Sequence, residues 1–152
     1  MSVLLAIGRA LGLDLPVELL LGTLTGMMPG PAVWVLGLVL HLLMSGAIAL
    51  LYGLGFEYVS RRSGALPGVV FSLVHTVIGG LFLGVLPALH PLIPGVLQAP
   101  GAFMSNYGDA GVIAFVVLHA IYGATVGMMY GPVTHPFRKT TLGRPFDKRA
   151  HA

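Results

Sequence analysis

Four apolar runs, each closed by residues that break helices, constrain this chain more than any other feature. They cover about 8–28, 32–59, 66–88 and 110–131, and they end at PGP, RRSG, HP and GP respectively. A helix needs about 20 residues to cross the hydrocarbon core of a bilayer. Backbone in hydrocarbon must satisfy its own hydrogen bonds, which leaves helices or closed barrels, and runs of this length without alternation argue for helix. The fold expected is all-α, a bundle of four transmembrane helices over residues 1–137, followed by a basic cytoplasmic tail over 138–152.

Composition agrees. Hydrophobic residues make up 56% of the 152 and charged ones 9%, with mean hydropathy +0.91, too few charges to cover a water-soluble domain. Cysteine is absent, which excludes disulfides, iron–sulfur clusters, thiolate zinc and covalent haem attachment through CxxCH. The segment MSVLLAIGRALGLDLP lacks a charged n-region and a small-x-small cleavage site, so it is expected to be retained.

The basic residues suggest an orientation. In a four-span layout Arg9, Arg61, Arg62 and the tail residues Arg138, Lys139, Arg144, Lys148 and Arg149 all fall on one side, and the loops over 29–31 and 89–109 contain neither Lys nor Arg. The positive-inside rule then makes both termini cytoplasmic, in a multi-pass inner-membrane protein. The tail offers charge for anionic lipid headgroups.

One segment is written twice. VLHLLMSGAIALLYG (39–53) and VLHAIYGATVGMMYG (117–131) share Val-Leu-His, a Gly-Ala pair and a closing Tyr-Gly. The preceding helices carry GTLTGMMP (22–29) and GLFLGVLP (80–87), both Gly-x-x-x-Gly-x-x-Pro. The chain therefore reads as two tandem helical hairpins related by a pseudo-twofold axis along the membrane normal. GxxxG lets a neighbouring backbone approach closely, here most simply inside the bundle.

The duplication places His41 and His119 at one depth on diagonal helices, with His75 somewhat nearer the cytoplasm. Imidazole nitrogens in hydrocarbon need partners, so none of the three should face lipid. Four residues beyond each lies a small residue, Ser45, Gly79 or Gly123, on the same face one turn on. Ser45 and Gly123 thus form notches in which a flat macrocycle or a neighbouring helix fits. Diagonal helices about 13 Å apart, from a side of about 8–10 Å, let His41 and His119 ligate one haem iron from both faces. Met44, one turn from His41, adds a soft ligand suited to copper. The commoner fate of a membrane histidine is a hydrogen bond across the bundle.

Glu18 aligns beside His75, and the two are the expected internal polar pair; Asp14 would reach the headgroups. Tyr52, Tyr130 and Trp34 read as interfacial aromatics. The apolar loop over 88–110 is expected to cap the second and fourth helices, with Asp109 as an N-cap and His90 ending the third helix with no role assigned.

Together LLGTLTG, LGLVLHLLMSGAIALLYG, LVHTVIGG, ALHPLIP and VVLHAIYGATVGMMYG resemble a family of small four-helix prokaryotic integral membrane proteins of unknown function, over about residues 15–132. The resemblance implies a stand-alone membrane domain and no particular activity.

Three functions fit these readings. The first is a non-enzymatic accessory or structural subunit of a membrane complex, whose partners are the bilayer and other membrane subunits. The second is a holder of haem b, another tetrapyrrole or a metal for electron transfer, through His41 and His119. The third is a small transporter using Glu18 and His75. Enzyme motifs such as HExxH, GxSxG and glycine-rich phosphate loops are missing, and nothing points to nucleic acid.

Overall fold

The computed structural model describes residues 2–10, 12–13 and 15–135; Asp14 and the basic tail lie outside them. Among the described residues every regular element is helical: α1 (Ser2–Ala10), α2 (Val17–Gly22), α3 (Pro31–Leu54), α4 (Ala65–Val85) and α5 (Gly108–Tyr130). Short 3-10 helices follow α2 (Thr23–Thr25) and α4 (Leu86–Ala88) and precede α5 (Ala102–Tyr107), and α3 runs on as a π-helix, Gly55–Ser60. Three of these stretches, Pro31–Ser60, Ala65–Ala88 and Ala102–Tyr130, are long and apolar enough to cross a membrane.

The run over 8–28 departs from the expected single span. Gly12 sits at φ +88, where glycine alone pays no steric cost. Pro16 then precedes α2, and that helix lasts only six residues, about 9 Å at 1.5 Å per residue. Both short pieces pack beside the first half of α3. Ser2 reaches His41, the guanidinium of Arg9 lies 5.9 Å from the Trp34 ring centre, and α2 lies against Val33 and Gly37. Arg9 is therefore at the start of α3, while Arg61 and Arg62 follow its far end, so the basic residues do not share one end. The reason is local: Arg9 is bound in an ion pair with Glu18.

Close backbone approach organises the packing. A Cβ on Gly37 would overlap the Glu18 carbonyl, and one on Gly22 the Val33 carbonyl, so α2 seats directly on α3. On α4 every fourth residue from Gly64 is small: Gly64, Gly68, Ser72, Thr76, Gly80 and Gly84. This stripe receives α5, where Gly123 meets Gly68 and Ser72, and Gly127 meets Gly64 and Gly68. Small residues on both faces trade side-chain volume for dispersion contact between backbones, the packing that works without a hydrophobic driving force. The amide of Gly64 donates to the Gly127 carbonyl at 2.9 Å, and Ser63 Oγ donates to the Gly131 carbonyl.

The two Gly-x-x-x-Gly-x-x-Pro copies are used differently. Gly22 touches α3 and Gly26 ends a 3-10 turn in the left-handed region, whereas Gly80 and Gly84 both lie in α4, facing Phe103 and Ala102. The loop between α4 and α5 folds back to close one end of the bundle, where Ile93 and Met104 bury against Leu20, Leu86 and Phe115. It caps α2, α4 and α5. Asp109 lies inside the first turn of α5 and makes no side-chain cap, because the helix already begins at Gly108; there its charge still complements the dipole.

Candidate functional site

The pair α2–α3 and the pair α4–α5 are each tightly packed, but α3 meets α5 at few points. The gap between the pairs is bridged by long side chains, and one end of it is a half-open cavity of about 200 Å³. His41, Met44 and Ser45 from α3, His75 and Gly79 from α4, and His119 and Tyr122 from α5 all line it, among leucines and Phe115. Three histidines far apart in sequence thus open onto one space.

Each ring is held by the same atom. His119 Nδ1 donates to the Phe115 carbonyl at 2.7 Å; the partner can only accept, so in the neutral ring Nε2 keeps its lone pair. His75 Nδ1 is 3.3 Å from the Tyr52 hydroxyl, and His41 Nδ1 is 3.2 Å from Ser2 Oγ. Among the described residues no Nε2 of the three has a hydrogen-bond partner, yet none of these atoms is sealed inside the protein. The rings of His75 and His119 are 4.8 Å apart and edge-on, which puts His75 level with His119 and not nearer the far end. The antiparallel register of α4 and α5, fixed by Gly68 on Gly123, causes this.

The predicted residues sort as follows. His41, His119, Ser45, Met44 and His75 share the cavity. Gly123 does not: α4 fills its notch, so small size there serves helix packing. Glu18 does not pair with His75. Its carboxylate, fully buried, takes both guanidinium nitrogens of Arg9 at 2.8 and 3.2 Å, a bidentate geometry that an imidazole cannot offer. Tyr52 is buried against His75, not in an interfacial belt. Among the described residues no three His, Asp or Glu side chains converge as a complete metal set.

Two polar centres escaped the sequence reading. His90 is buried, accepts from the Leu92 amide on Nδ1 (3.2 Å) and so donates from Nε2 to the Leu20 carbonyl (3.0 Å). It shares the Leu20 carbonyl, near the end of α2, with the Thr23 hydroxyl. At the opposite end of α3, the π-helix presents Glu57, which is ringed by donors: Tyr130 hydroxyl at 2.9 Å, Thr134 amide at 3.0 Å to each oxygen, Thr134 hydroxyl at 2.7 Å, and the amide and Nδ1 of His135, both at 3.1 Å. The pattern gave no sign of this, since all its donors but Tyr130 come from the chain beyond α5.

Between the two centres stands Phe56, fully buried, with ring centres 6.3 Å from Tyr52, 5.4 Å from Phe71 and 5.3 Å from Tyr130. Its aromatic neighbours Tyr52 and Tyr130 bond His75 and Glu57 respectively. Neither a protein-family model, nor a curated protein, nor a solved structure matches this chain.

Proposed function

We propose that this chain is a non-enzymatic, multi-pass protein of the inner membrane, an accessory subunit that holds a small ligand between its two helical pairs. The observation that carries the ligand-holding part is that three histidines, each tied at Nδ1 to a protein oxygen and each with no hydrogen-bond partner on Nε2 among the described residues, line one largely apolar cavity. A few polar groups converging in an apolar pocket is the usual composition of a small-molecule site. The reading places the Arg61–Arg62 end and the basic tail in the cytoplasm. The exposed apolar side chains of α3, α4 and α5 would meet lipid or neighbouring subunits.

The same reading takes the two helical pairs as copies of one hairpin, making a four-segment bundle in which the broken first segment stands for a span. Its support is the register of α3 against α5. Tyr122 meets Ser45 and Tyr130 meets Gly53, each pair 77 residues apart (122 − 45 and 130 − 53), one short of the 78 between His41 and His119 (119 − 41).

Haem fits poorly. The cavity, about 200 Å³, is below the roughly 300–1,000 Å³ of ligand pockets, and the notch at Gly123 is closed. Transport fares no better, because Glu18 is neutralised by Arg9. A purely structural role for the histidines is the second reading, favoured by the bonds His75–Tyr52 and His41–Ser2, which join different helices.

Native mass spectrometry of the full chain released from nanodiscs tests the proposal. The expected result is an adduct on the wild type that His75→Ala and His119→Ala both lose. A wild type that carries only its own mass would leave the structural reading.

A further inference from the structure

We infer that the ligand is a monovalent, soft metal ion, Cu(I), held by Nε2 of His75 and of His119 with the Met44 thioether on the facing wall. This rests on the ligand-holding reading and specifies its chemistry. Four observations lead there. First, the two rings that approach most closely, 4.8 Å between centres, come from different helices that α4–α5 glycine contacts lock in place. Second, both carry the kind of partner that metal-binding histidines use to fix their orientation: a carbonyl on Nδ1 of His119, which sets that ring's tautomer, and a hydroxyl on Nδ1 of His75, which can accept from it. Third, the cavity wall includes Met44 and a further histidine, His41, and among the described residues no carboxylate. Imidazole with thioether favours copper and disfavours magnesium, calcium and manganese. Fourth, every donor is neutral and, Ser45 and Tyr122 aside, the rest of the described wall is apolar. The cost of placing an ion in such a medium rises with the square of its charge, so an uncharged donor set suits a monovalent ion and penalises Zn(II).

Binding needs no proton release. His119 already presents its Nε2 lone pair, and His75 does so when its Nδ1–H donates to the Tyr52 hydroxyl. Tyr52 is then a positioning residue, acting through His75.

The test titrates the full chain, purified in detergent without oxygen, with Cu(I) against a chromophoric Cu(I) chelator. About one equivalent should be retained, excess Zn(II) should not displace it, and His75→Ala and His119→Ala should each abolish retention. Since an alanine variant that misfolds would mimic loss, two gentler changes carry equal weight. Tyr52→Phe keeps the ring packing and should weaken Cu(I) binding about 10–100-fold. Met44→Leu keeps the volume and should remove the copper–sulfur signal from X-ray absorption. No retention by the wild type, or retention unchanged in both histidine variants, overturns the inference. If an organic adduct is found instead by native mass spectrometry and is lost in His119→Ala, copper falls while the ligand cavity stands. If neither copper nor any adduct is held, both fall.

Discussion

Tyr122 of α5 donates its hydroxyl to the Ser45 carbonyl of α3 at 2.5 Å, one of few direct ties between the two tightly packed helical pairs. Ser45 belongs to a helix whose own ladder already uses that carbonyl, so the tyrosine takes its second lone pair. Removing the hydroxyl would strand no buried acceptor. Tyr122→Phe should therefore cost only the net value of one hydrogen bond, about 0.5–1.5 kcal/mol, in equilibrium unfolding from detergent micelles. A loss well above that range would mean the tie also sets the spacing of the cavity.

The glycine stripe makes a sharper forecast. Gly123 faces backbone, with the Gly68 carbonyl and Ser72 Cβ where a side chain would go, while Gly46 on α3 has nothing within 4 Å. Backbone cannot swing aside. Gly123→Leu should exceed the usual overpacking cost of about 1–3 kcal/mol and block folding, and even Gly123→Ala should separate α4 from α5. Gly46→Ala should stay within about 1 kcal/mol of wild type. Gly53→Leu should fall between, because its neighbour is the movable ring of Tyr130. Equal losses at Gly123 and Gly46 in a thermal-shift series would show that the stripe does not hold the pair.

These two cases show what was legible in the sequence. Long apolar runs announce three of the spans, because length and hydropathy are properties of single segments. His41 and His119, singled out by their twin segments, both line the cavity between the helical pairs. What failed were pairings. Glu18 was matched to His75 by aligning two helices as equals, but the first run is broken at Gly12 and Pro16, and this folds Arg9 back within reach of the carboxylate. The GxxxG motifs drew attention to Gly22, Gly26, Gly80 and Gly84, yet the stripe that receives α5 begins at Gly64 and runs through Ser72 and Thr76. That four-residue spacing lies in the sequence, but GxxxG as a pattern stops at Ser72 and Thr76, which interrupt the glycines. Glu57 could not be found this way, since its donors at Thr134 and His135 lie beyond the last span.

Glu57 should fasten the chain just past α5. Both of its oxygens accept from Thr134, and Oε2 also accepts from His135. A glutamine would turn an NH2 toward donors that have nothing to give it. In Glu57→Gln the amides of Thr134 and His135 should lose protection from hydrogen exchange while the middle of α5 keeps its own. Protection unchanged at both amides would show that the carboxylate is not what holds this segment.

The pair Arg9–Glu18 governs how the broken first segment stays on α3. The carboxylate side chain is 1% exposed and the guanidinium 27%, so the acid depends on the base more than the reverse. Arg9→Ala leaves a buried carboxylate without its counter-charge, which typically costs about 3–5 kcal/mol; the partial exposure of Arg9 points to the lower end. Glu18→Gln alone should cost less, since the arginine can turn toward solvent and the Trp34 ring. Replacing both, Arg9→Met with Glu18→Leu, removes the charges together and should recover most of the loss, because desolvating an ion pair offsets much of its attraction. Unfolding free energies for Arg9→Met, Glu18→Leu and the variant carrying both form a double-mutant cycle. A coupling energy near zero would place the two side chains side by side without mutual dependence, and the seating of α2 would then rest on the glycine contacts at Gly22 and Gly37 alone.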